Sequence, residues 1–367
     1  MSDIAGALRA DQPMVRQIQV TLREKIVSGD LAPGEKLPSM RKLSADFGCS
    51  LGIVKQAVTT LAAQGYLRSS PRRGVYVADA MPAGREVVII LPNLEINRLH
   101  LAILGVKRAL GGTGHRISLH AGDAPSTAGM PDALASSSVA GVLVLLPSSG
   151  EHDDLLMTLR RRAVPTVVVD ITSRTVGADV VAIDPVEAGR AGVRYLTDRG
   201  HKRIALALPE NEARLPREVA DGFAAALQDV GIDPASAPRI RVDREELGSE
   251  EHVWSVAASR VETALASEPG VTAIVGLGSQ MTLGAALGAR RAGREIPGDF
   301  SVVGLLGDSS ALQAFEPPIT IFDNPIEDVC EVATRRLLER VDGLNIPAEC
   351  LRRPPVLVER GSVGSIG

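Results

Sequence analysis

The stretch Leu37-Pro-Ser-Met-Arg-Lys-Leu-Ser-Ala-Asp-Phe-Gly-Cys-Ser50 decides the fold of the first part of this 367-residue chain. Ser39 can cap the start of a helix with its hydroxyl, and Leu43 and Phe47, about one helical turn apart, then face the same side. The glycine after Phe47 ends this helix, and Ser50 can cap the next one after only a short turn. Two helices on so tight a turn predict a helix-turn-helix.

The segments on either side extend this motif. Upstream, apolar residues recur at three- and four-residue steps between residues 13 and 29, which predicts a first amphipathic helix. Downstream, the β-prone runs Tyr66–Arg68 and Val75–Val77 flank a turn with a basic tip, which predicts a hairpin, or wing. Since the residues that follow are small, polar and aperiodic, we predict a domain over residues 1–78, a linker over 79–85 and a second domain over 86–367.

The rest of the chain has the pattern of an α/β fold. Continuous apolar runs such as Val87–Leu91, Val139–Leu146 and Ile204–Leu208 alternate with stretches of helical periodicity. Strands that are apolar on both faces and separated by helices pair in parallel, in a sheet that helices cover on both sides. About 280 residues exceed what one such sheet usually holds, so we expect two lobes with parallel sheets behind the winged helix-turn-helix.

Charge is distributed unevenly along the chain. Residues 1–80 carry 11 Lys+Arg against 7 Asp+Glu, so the front has a net charge of +4 and the remainder −8. A basic module on a larger acidic body indicates that the front binds an anion, and nucleic acid is the commonest one. An aromatic content of 2% argues against a protein that stacks single-stranded bases on exposed rings, so duplex DNA is favoured.

Several classes of protein are disfavoured by what the sequence lacks. The three cysteines are far apart and the six histidines have no ligand spacing, so we expect neither a disulfide framework nor a metal site. The sequence shows no signal peptide and no apolar run long enough to span a membrane, which favours a cytoplasmic protein. It also shows no nucleophile with an adjacent base, no phosphate-binding loop and no complete dinucleotide fingerprint, so we expect no enzyme activity and no cofactor.

Residues 13–78 resemble the winged helix-turn-helix of the GntR family of bacterial transcription regulators. The resemblance rests on Ile26-Val-Ser-Gly-Asp-Leu-Ala-Pro-Gly-Glu-Lys-Leu-Pro-Ser39, on Gly48-Cys-Ser50 and on Gly65-Tyr-Leu67, which have the order and spacing of the family. In that family the arginine after Pro-Ser, the start of the recognition helix and the tip of the wing approach DNA. The resemblance therefore implies DNA contacts from Arg41, Ser50, Leu51, Gly52, Lys55, Arg72, Arg73 and Gly74.

The recognition helix departs from that family at its front. Where the family usually has Arg-Thr-Thr, this chain has Leu51-Gly52-Ile53. Arginine and threonine hydrogen-bond to base edges, whereas Leu51 can offer only apolar contact to a thymine methyl group. Arg41 and Lys55 can still reach phosphates or a guanine edge. We therefore expect weak direct readout of bases, supplemented by recognition of DNA shape.

Residues 86–360 resemble the effector-binding core of the LacI/GalR family, which is itself similar to periplasmic sugar-binding proteins. Matching pieces occur in family order, among them Val164-Pro-Thr-Val-Val-Val-Asp170, Gly200-His-Lys-Arg-Ile-Ala205 and Ile296-Pro-Gly-Asp-Phe-Ser-Val-Val-Gly304. The resemblance implies a periplasmic-binding-protein-like domain of two lobes joined by three crossovers. It also implies an effector in the cleft between the lobes and a homodimer.

The ligand pocket is where the body departs most from that family. The aromatic residue that stacks on a sugar ring is missing from Ile96-Asn-Arg-Leu99, and an expected Asn-Asp pair is Gly278-Ser279. Carried over by position, the candidate effector residues are Arg98, Asp184, Arg217, Gly278, Ser279 and Asp308. Most of the groups that recognise sugar hydroxyls are absent. Either the effector is not a sugar, or the cleft binds nothing and the body is a dimerisation scaffold.

Two hypotheses of different classes follow. The first is a sequence-specific transcription regulator, most simply a homodimeric repressor, that binds near-palindromic double-stranded DNA and responds to an unknown small-molecule effector in the cleft. The second is a soluble small-molecule-binding protein or enzyme whose winged helix makes protein contacts. Salt-dependent binding of duplex DNA favours the first hypothesis, and turnover or salt-independent binding favours the second.

Overall fold

The computed structural model describes residues 14–63, 65–70, 74–79, 86–91, 99–121, 134, 138–145, 153–169, 177–210, 214–243, 252–307, 309–343 and 347–366. Within these ranges the chain forms a small winged helix, called the head below, and two α/β lobes. The predicted fold class is confirmed.

The head contains α1 (Met14–Ser28), α2 (Met40–Asp46), α3 (Leu51–Ala63), β1 (Leu67–Ser70) and β2 (Gly74–Val77). The strands pair antiparallel, with Ser70 opposite Gly74, so a three-residue tip joins them as the wing. Apolar residues at helical spacing on all three helices meet in one core, together with Leu67 and Val77 from the wing. This shared core explains why the local periodicity of the sequence was enough to predict the unit.

The body follows from β3 onward. Its elements are β3 (Glu86–Leu91), α4 (Leu99–Leu110), β4 (Arg116–Ala121), β5 (Val139–Leu145), α5 (Asp153–Arg161), β6 (Thr166–Val169), β7 (Asp179–Ile183), α6 (Pro185–Thr197), β8 (Ile204–Glu210), α7 (Arg214–Asp229), β9 (Arg239–Asp243), α8 (Val253–Ser267), β10 (Ala273–Leu277), α9 (Gly278–Arg291), β11 (Ser301–Leu305), α10 (Ser309–Gln313), β12 (Thr320–Asp323), α11 (Ile326–Val341), β13 (Cys350–Arg353) and β14 (Val356–Val358).

Each lobe is built on one sheet. Among the described residues, lobe 1 has the strand order β13-β7-β6-β5-β3-β4, and lobe 2 has the order β14-β12-β11-β10-β8-β9. The pairings are parallel except for β14, which runs antiparallel to β12. Strands such as β7, β10 and β11 are buried along their whole length, because helices cover both faces of each sheet.

Three crossovers connect the lobes, at Asp184 between β7 and α6, at 324–325 between β12 and α11, and at 354–355 between β13 and β14. Each crossover leaves the carboxyl end of a strand in one sheet and enters the other lobe at the carboxyl edge of its sheet, because α6 and α11 run antiparallel to the strands of the lobe they enter and β14 runs antiparallel to β12. The carboxyl edges of the two sheets therefore face each other across a cleft. Ligands of open α/β sheets bind at that edge.

A buried carboxylate fastens α11 to the sheet of lobe 1. The Asp179 side chain is fully buried, and its oxygens accept hydrogen bonds from Arg340 Nε at 2.7 Å, from Arg336 Nη2 at 3.3 Å and from the Glu349 backbone N–H at 2.9 Å. Burial alone would raise the pKa of the Asp179 carboxyl, but these hydrogen bonds outweigh it and hold the pKa below its ordinary value. The ionised form therefore stabilises lobe 1.

The last described residues lie across the amino edge of the lobe 2 sheet, away from the cleft. Ser362 is fully buried, and its hydroxyl donates to the Val302 carbonyl at 2.6 Å. His201 is also buried, with Nδ1 2.9 Å from the Thr272 hydroxyl and Nε2 3.2 Å from the Gly364 carbonyl oxygen. Burial lowers the pKa of the His201 imidazole, so the ring is held in its neutral form.

Candidate DNA interface and effector cleft

The helix-turn-helix starts at Ser39, whose hydroxyl accepts a hydrogen bond from the Lys42 backbone N–H at 3.2 Å and caps α2. Gly48 has a φ of +61°, a left-handed conformation that lets the chain turn sharply. The Ser44 hydroxyl donates to the Cys49 carbonyl inside this turn. The second helix therefore begins only five residues after the end of α2, at Leu51.

The first turns of α3 are buried on one side and exposed on the other. Val54 and Ala57 are fully buried in the head core. Leu51 is 47% exposed, and Gly52 and Lys55 are exposed as well. The front of α3 therefore presents one apolar side chain beside the exposed cation Lys55. The residues that the sequence analysis assigned to DNA at the front of α3 thus lie where a duplex can reach them.

A groove of about 520 Å³ separates the start of α2 from the wing. Its lining includes Lys36, Ser39, Met40, Ser69, Ser70 and Gly74. Gly74 has a φ of +115°, which other residues rarely adopt, and Arg41 in the first turn of α2 is exposed. The structure thus brings the start of α2 and the base of the wing together. The predicted contacts Arg72 and Arg73 lie outside the described residues.

Two cations beside the wing were missed by the sequence analysis. Arg68 lies opposite Tyr76 across β1 and β2, and its guanidinium carbon is 5.2 Å from the centre of the Tyr76 ring. The Lys36 ammonium is 5.9 Å from the same ring, and Arg68 also forms an ion pair of 3.2 Å with Asp79. Cation–π contact orients such side chains without neutralising them. The signal in the sequence was the pairing of Arg68 with Tyr76 across the predicted hairpin.

Asp184 lies in the cleft, at the crossover from β7 to α6. Its carboxylate accepts hydrogen bonds from the backbone N–H groups of Val186 and Glu187, both at 3.1 Å, and so caps α6. The same carboxylate is 3.4 Å from Arg352 Nη1. Asp184 therefore already has a structural role, and a ligand would have to share this carboxylate with Arg352. Its role in effector binding stays a prediction.

Charged residues from both lobes meet beside Asp184. Arg352 at the end of β13 in lobe 1 lies 3.3 Å from the carboxylate of Glu218 on α7 in lobe 2, and Arg214 pairs with that carboxylate as well. Burial lowers the pKa of Arg352, but Glu218 and Asp184 more than offset it and raise the pKa above its ordinary value. This row of alternating charges joins the lobes. Arg217, the neighbouring predicted residue, is exposed.

The turns that follow β10 and β11, at the carboxyl edge of the lobe 2 sheet, consist of backbone and small side chains. Gly278 starts α9 with a φ of +78°, and Ser279 follows it. A Cβ on Gly307 would stand 2.7 Å from the Ser279 backbone nitrogen, so the turns after β10 and β11 touch. These positions offer only backbone groups and the short Ser279 hydroxyl. The predicted residues Arg98 and Asp308 lie outside the described residues.

An aromatic pair that the sequence analysis missed stands at the cleft edge of lobe 2. The rings of His252 and Trp254, at the start of α8, are stacked with their centres 6.1 Å apart. Trp254 is the one tryptophan of the chain, and this was the feature of the sequence that could have pointed to the aromatic pair. The start of α8 lies at the carboxyl edge of the lobe 2 sheet, and Trp254 is half-buried there.

Among the described residues, the structure shows neither a membrane-spanning helix nor a metal-binding cluster. No helix among them is both long and apolar enough to cross a membrane. No group of three or more His, Cys, Asp or Glu side chains in the same part of the chain could hold a metal ion.

Comparison with protein families finds two matches along the chain. Residues 14–77 match the model of the bacterial regulatory proteins of the gntR family, and residues 193–363 match a periplasmic binding protein-like domain. The HTH-type transcriptional regulator reg1 of Streptomyces lividans is 32% identical over 244 residues, which are 64% of this chain and 68% of that protein. The repressor PurR of Erwinia tasmaniensis is 30% identical over 233 residues, 63% of this chain and 65% of that one.

Another relative, an uncharacterized HTH-type transcriptional regulator from the aml 5′ region of Streptomyces limosus, is 33% identical over 229 residues, 60% of this chain. The alignment spans 63% of that relative's length.

Solved structures share the fold. The regulator CelR with cellobiose matches at a TM-score of 0.61 with 22% identity, covering 89% of this chain and 100% of that one. A LacI family regulator from Enterococcus faecium with bound ribose matches at 0.59 with 19% identity, covering 77% and 100%.

Proposed function

Because the chain belongs to the HTH-type transcriptional regulators, with a gntR-family head on a periplasmic-binding-protein-like body, we propose that it represses transcription as a dimer under the control of a small molecule. The observation that carries the proposal is the surface of the head. The exposed front of α3 with Leu51, Gly52 and Lys55, the exposed Arg41 and the groove beside the wing together present a basic surface to duplex DNA.

The mode of DNA reading follows from the composition of this surface. Arg41, Lys36 and Lys55 attract phosphates and position the head, whereas Leu51 can contact a thymine methyl group. Gly52 lets the helix approach the bases closely but reads none of them. The operator we propose is therefore a near-palindrome with short A·T-containing half-sites, recognised in part by shape.

A dimer is supported by apolar residues exposed on lobe 1. Leu104 on α4 and Leu119 on β4 are 47% and 41% exposed, and β4 is the edge strand of its sheet. An exposed apolar side chain on an edge strand is a liability for a monomer and suits a twofold contact between two copies, and exposed Leu104 on a helix of the same lobe could join that contact. Two heads carried on such a dimer would match the two half-sites of a palindrome.

The effector we propose is a small polar molecule that contains a ring. Trp254 offers an aromatic face, and Asp184 and Glu218 offer carboxylates within the same cleft. The relatives and neighbours named above include a regulator solved with cellobiose, another with ribose, and PurR. Closure of the lobes on such a molecule would alter the Arg352 to Glu218 contact, which spans them, and so favour one arrangement of the lobes.

We place this activity in the cytoplasm, because that is where a bacterial regulator meets chromosomal DNA. The role we assign to the cleft is binding rather than catalysis. The cleft residues serve recognition and lobe closure in this account, and we propose no cofactor and no metal.

The first experiment selects bound fragments from random duplex DNA with the purified protein at low and at physiological salt. We expect enrichment of a twofold-symmetric site that survives physiological salt. Binding without any enriched site would show that the protein binds DNA nonspecifically. No binding would indicate that the head contacts protein instead of DNA.

The second experiment screens for the effector by tryptophan fluorescence. Since Trp254 is the one tryptophan, its emission reports the cleft edge without labelling. Mono- and disaccharides, nucleobases and nucleosides are added in turn, and a compound that shifts the emission is then tested for an effect on operator affinity. If no compound shifts both signals, the cleft acts as a scaffold and the proposal of effector control is wrong.

A further inference from the structure

The head is held against lobe 1 at two places. Arg23 of α1 forms an ion pair with Asp342, the residue after α11, with 3.6 Å between Arg23 Nη1 and a carboxylate oxygen. The side chains are 8% and 9% exposed, so this pair is largely removed from water. The Tyr66 hydroxyl donates a hydrogen bond of 2.6 Å to the carbonyl oxygen of Thr113, three residues after the end of α4.

The burial pattern of α1 indicates that the contact covers a helix face. Ile18, Leu22 and Ile26 point into the head core, yet Gln19 and Arg23, one position further round the helix, are also only 6% exposed. Polar side chains are seldom buried so deeply unless a polar partner covers them. Separating the head from lobe 1 would break this largely buried ion pair, and breaking such a pair is costly.

Two glycines of lobe 1 lie near this contact, one beside Thr113 and one between the helices that lead to it. Gly114 has a φ of +74°, and a Cβ there would stand 3.5 Å from the Tyr66 hydroxyl. Gly105 lets α4 and α11 touch, because a Cβ at this position would lie 2.0 Å from the backbone oxygen of Glu327. The two helices therefore pack as one unit, and the two anchor points for the head follow their ends.

This helix pair connects the cleft with the DNA surface. The 16 residues of α11 span about 24 Å, from the crossover at 324–325 beside the cleft to Asp342 at the head. On the other side of the contact, Tyr66 follows α3, whose first turn carries the DNA-facing residues. Packed elements thus run without interruption from the cleft to the surface that meets DNA.

We propose that Arg23, Tyr66, Thr113 and Asp342 are positioning residues for DNA recognition. They fix the orientation of each head on its own lobe 1, so that the lobe 1 dimer sets the half-site spacing the protein accepts. The proposal rests on the dimer proposed above. Heads held in place have a sharp spacing preference because their ordering is completed before binding, whereas heads on a loose tether reach many spacings with similar affinity.

The test compares full-length variants on duplexes that carry the two selected half-sites at the selected spacing or with additional base pairs between them. We expect the wild type to lose at least about tenfold in affinity away from its preferred spacing, and the double variant Arg23→Met, Tyr66→Phe to lose less than about threefold. These substitutions keep the alkyl stem and the ring that pack in the head. A variant in which the charges are exchanged, Arg23→Asp with Asp342→Arg, and in which Tyr66 is unchanged should keep most of the wild-type spacing preference.

The matched control is Arg203→Met. This change removes an exposed ion pair of 2.6 Å with Glu268 on lobe 2, far from the head contact in the fold, and should leave the spacing preference unchanged. Affinity for a single half-site is measured for every variant and should stay within about twofold of wild type, because the reading surface of α3 is untouched. A structural defect of the head would lower this affinity too.

Two further measurements separate the possible failures. Sedimentation reports the dimer, and amide hydrogen exchange reports the contact itself, since residues 111–114 should exchange faster in the double variant than in the control. A monomeric wild type refutes the proposed dimer and with it the setting of spacing. A dimeric wild type whose spacing preference survives in the double variant refutes the positioning role alone, and unchanged exchange refutes the contact.

Discussion

We predict that Asp179→Asn lowers the free energy of unfolding of lobe 1 by about 3 kcal/mol at pH 7. The side chain is fully buried between Arg336 and Arg340, and one carboxylate receives hydrogen bonds from both guanidinium groups and from a backbone N–H. Asparagine has the same shape, so no cavity forms, but the two arginines lose their shared negative partner.

The magnitude follows from burial. Removing one member of a buried ion pair costs about 3 to 5 kcal/mol, and the lower end applies here because Glu339 and Glu349 still face Arg336 at 3.2 and 2.8 Å. For a domain of this size, about 3 kcal/mol corresponds to a fall in the melting temperature of roughly 6 to 12 °C. Differential scanning calorimetry and urea unfolding would measure it.

The pH dependence supplies a second check. The pKa of Asp179 is lower in the folded chain than in the unfolded chain, so the unfolded state binds more protons in the acid range. The contribution of ionised Asp179 to the free energy of unfolding is complete above the pKa of the unfolded state, about 3.9. It is lost as the pH falls through the pKa of Asp179 in the folded state. The difference between wild type and Asp179→Asn should therefore be constant near neutrality and shrink in strong acid.

The control is Asp328→Asn. Asp328 pairs with Arg353 at 2.9 Å, but the two side chains are 46% and 40% exposed, so the change should cost less than about 1 kcal/mol. If Asp179→Asn also costs less than about 1 kcal/mol, the reasoning from burial is wrong, and α11 is fastened to the sheet by its apolar face alone.

Three further predictions concern DNA binding and pH. Arg41→Gln should reduce the slope of log affinity against log salt concentration by about 2 in a dimer, because each head would lose one phosphate contact. The control Lys202→Gln, at an exposed position of lobe 2, should leave this slope unchanged. Equal slopes for wild type and Arg41→Gln would show that Arg41 does not contact DNA. Leu51→Ala should abolish the difference in affinity between an operator with thymine and the same operator with uracil. Competition binding would measure this difference. If the difference survives in the variant, another residue contacts the methyl group. Because burial lowers the pKa of His201 below 6.5, its contribution to stability is complete above that pH and is lost as the pH falls toward the folded value. Thermal unfolding from pH 8 to pH 5 should show this loss in wild type and not in His201→Asn, and greater stability of wild type on acidification would contradict it.

The head could be predicted from its sequence because its signals are local. The cap at Ser39, the turn at Gly48 and the pairing of the wing strands all lie within a few residues of the groups they act on. The layered body could be predicted as well, since continuous apolar runs mark strands covered on both faces. The edge strand β4 escaped prediction because its burial is incomplete and its sequence mixes polar and apolar residues.

The cleft could be predicted only in part. Asp184 was found through the family resemblance, but its partner Arg352 lies 168 residues further along the chain, and Arg352 and Glu218 are 134 residues apart. No spacing rule reaches such distances, because the crossovers that bring these residues together belong to the whole fold. Trp254 was missed for a related reason: an aromatic residue was considered only after the first strand of the body, whereas Trp254 lies at the start of α8 in lobe 2.

The crossovers also determine the order in which the protein can fold during synthesis. The core of the head lies within residues 18–77, so the head can fold as soon as it leaves the ribosome. Lobe 1 must wait, because Val329, Ala333 and Leu337 of α11 cover the apolar face of strands made some two hundred residues earlier. A chain that stops after β12 would carry a complete head on a body with an open core. Premature termination would therefore yield an aggregation-prone product that still presents the proposed DNA surface.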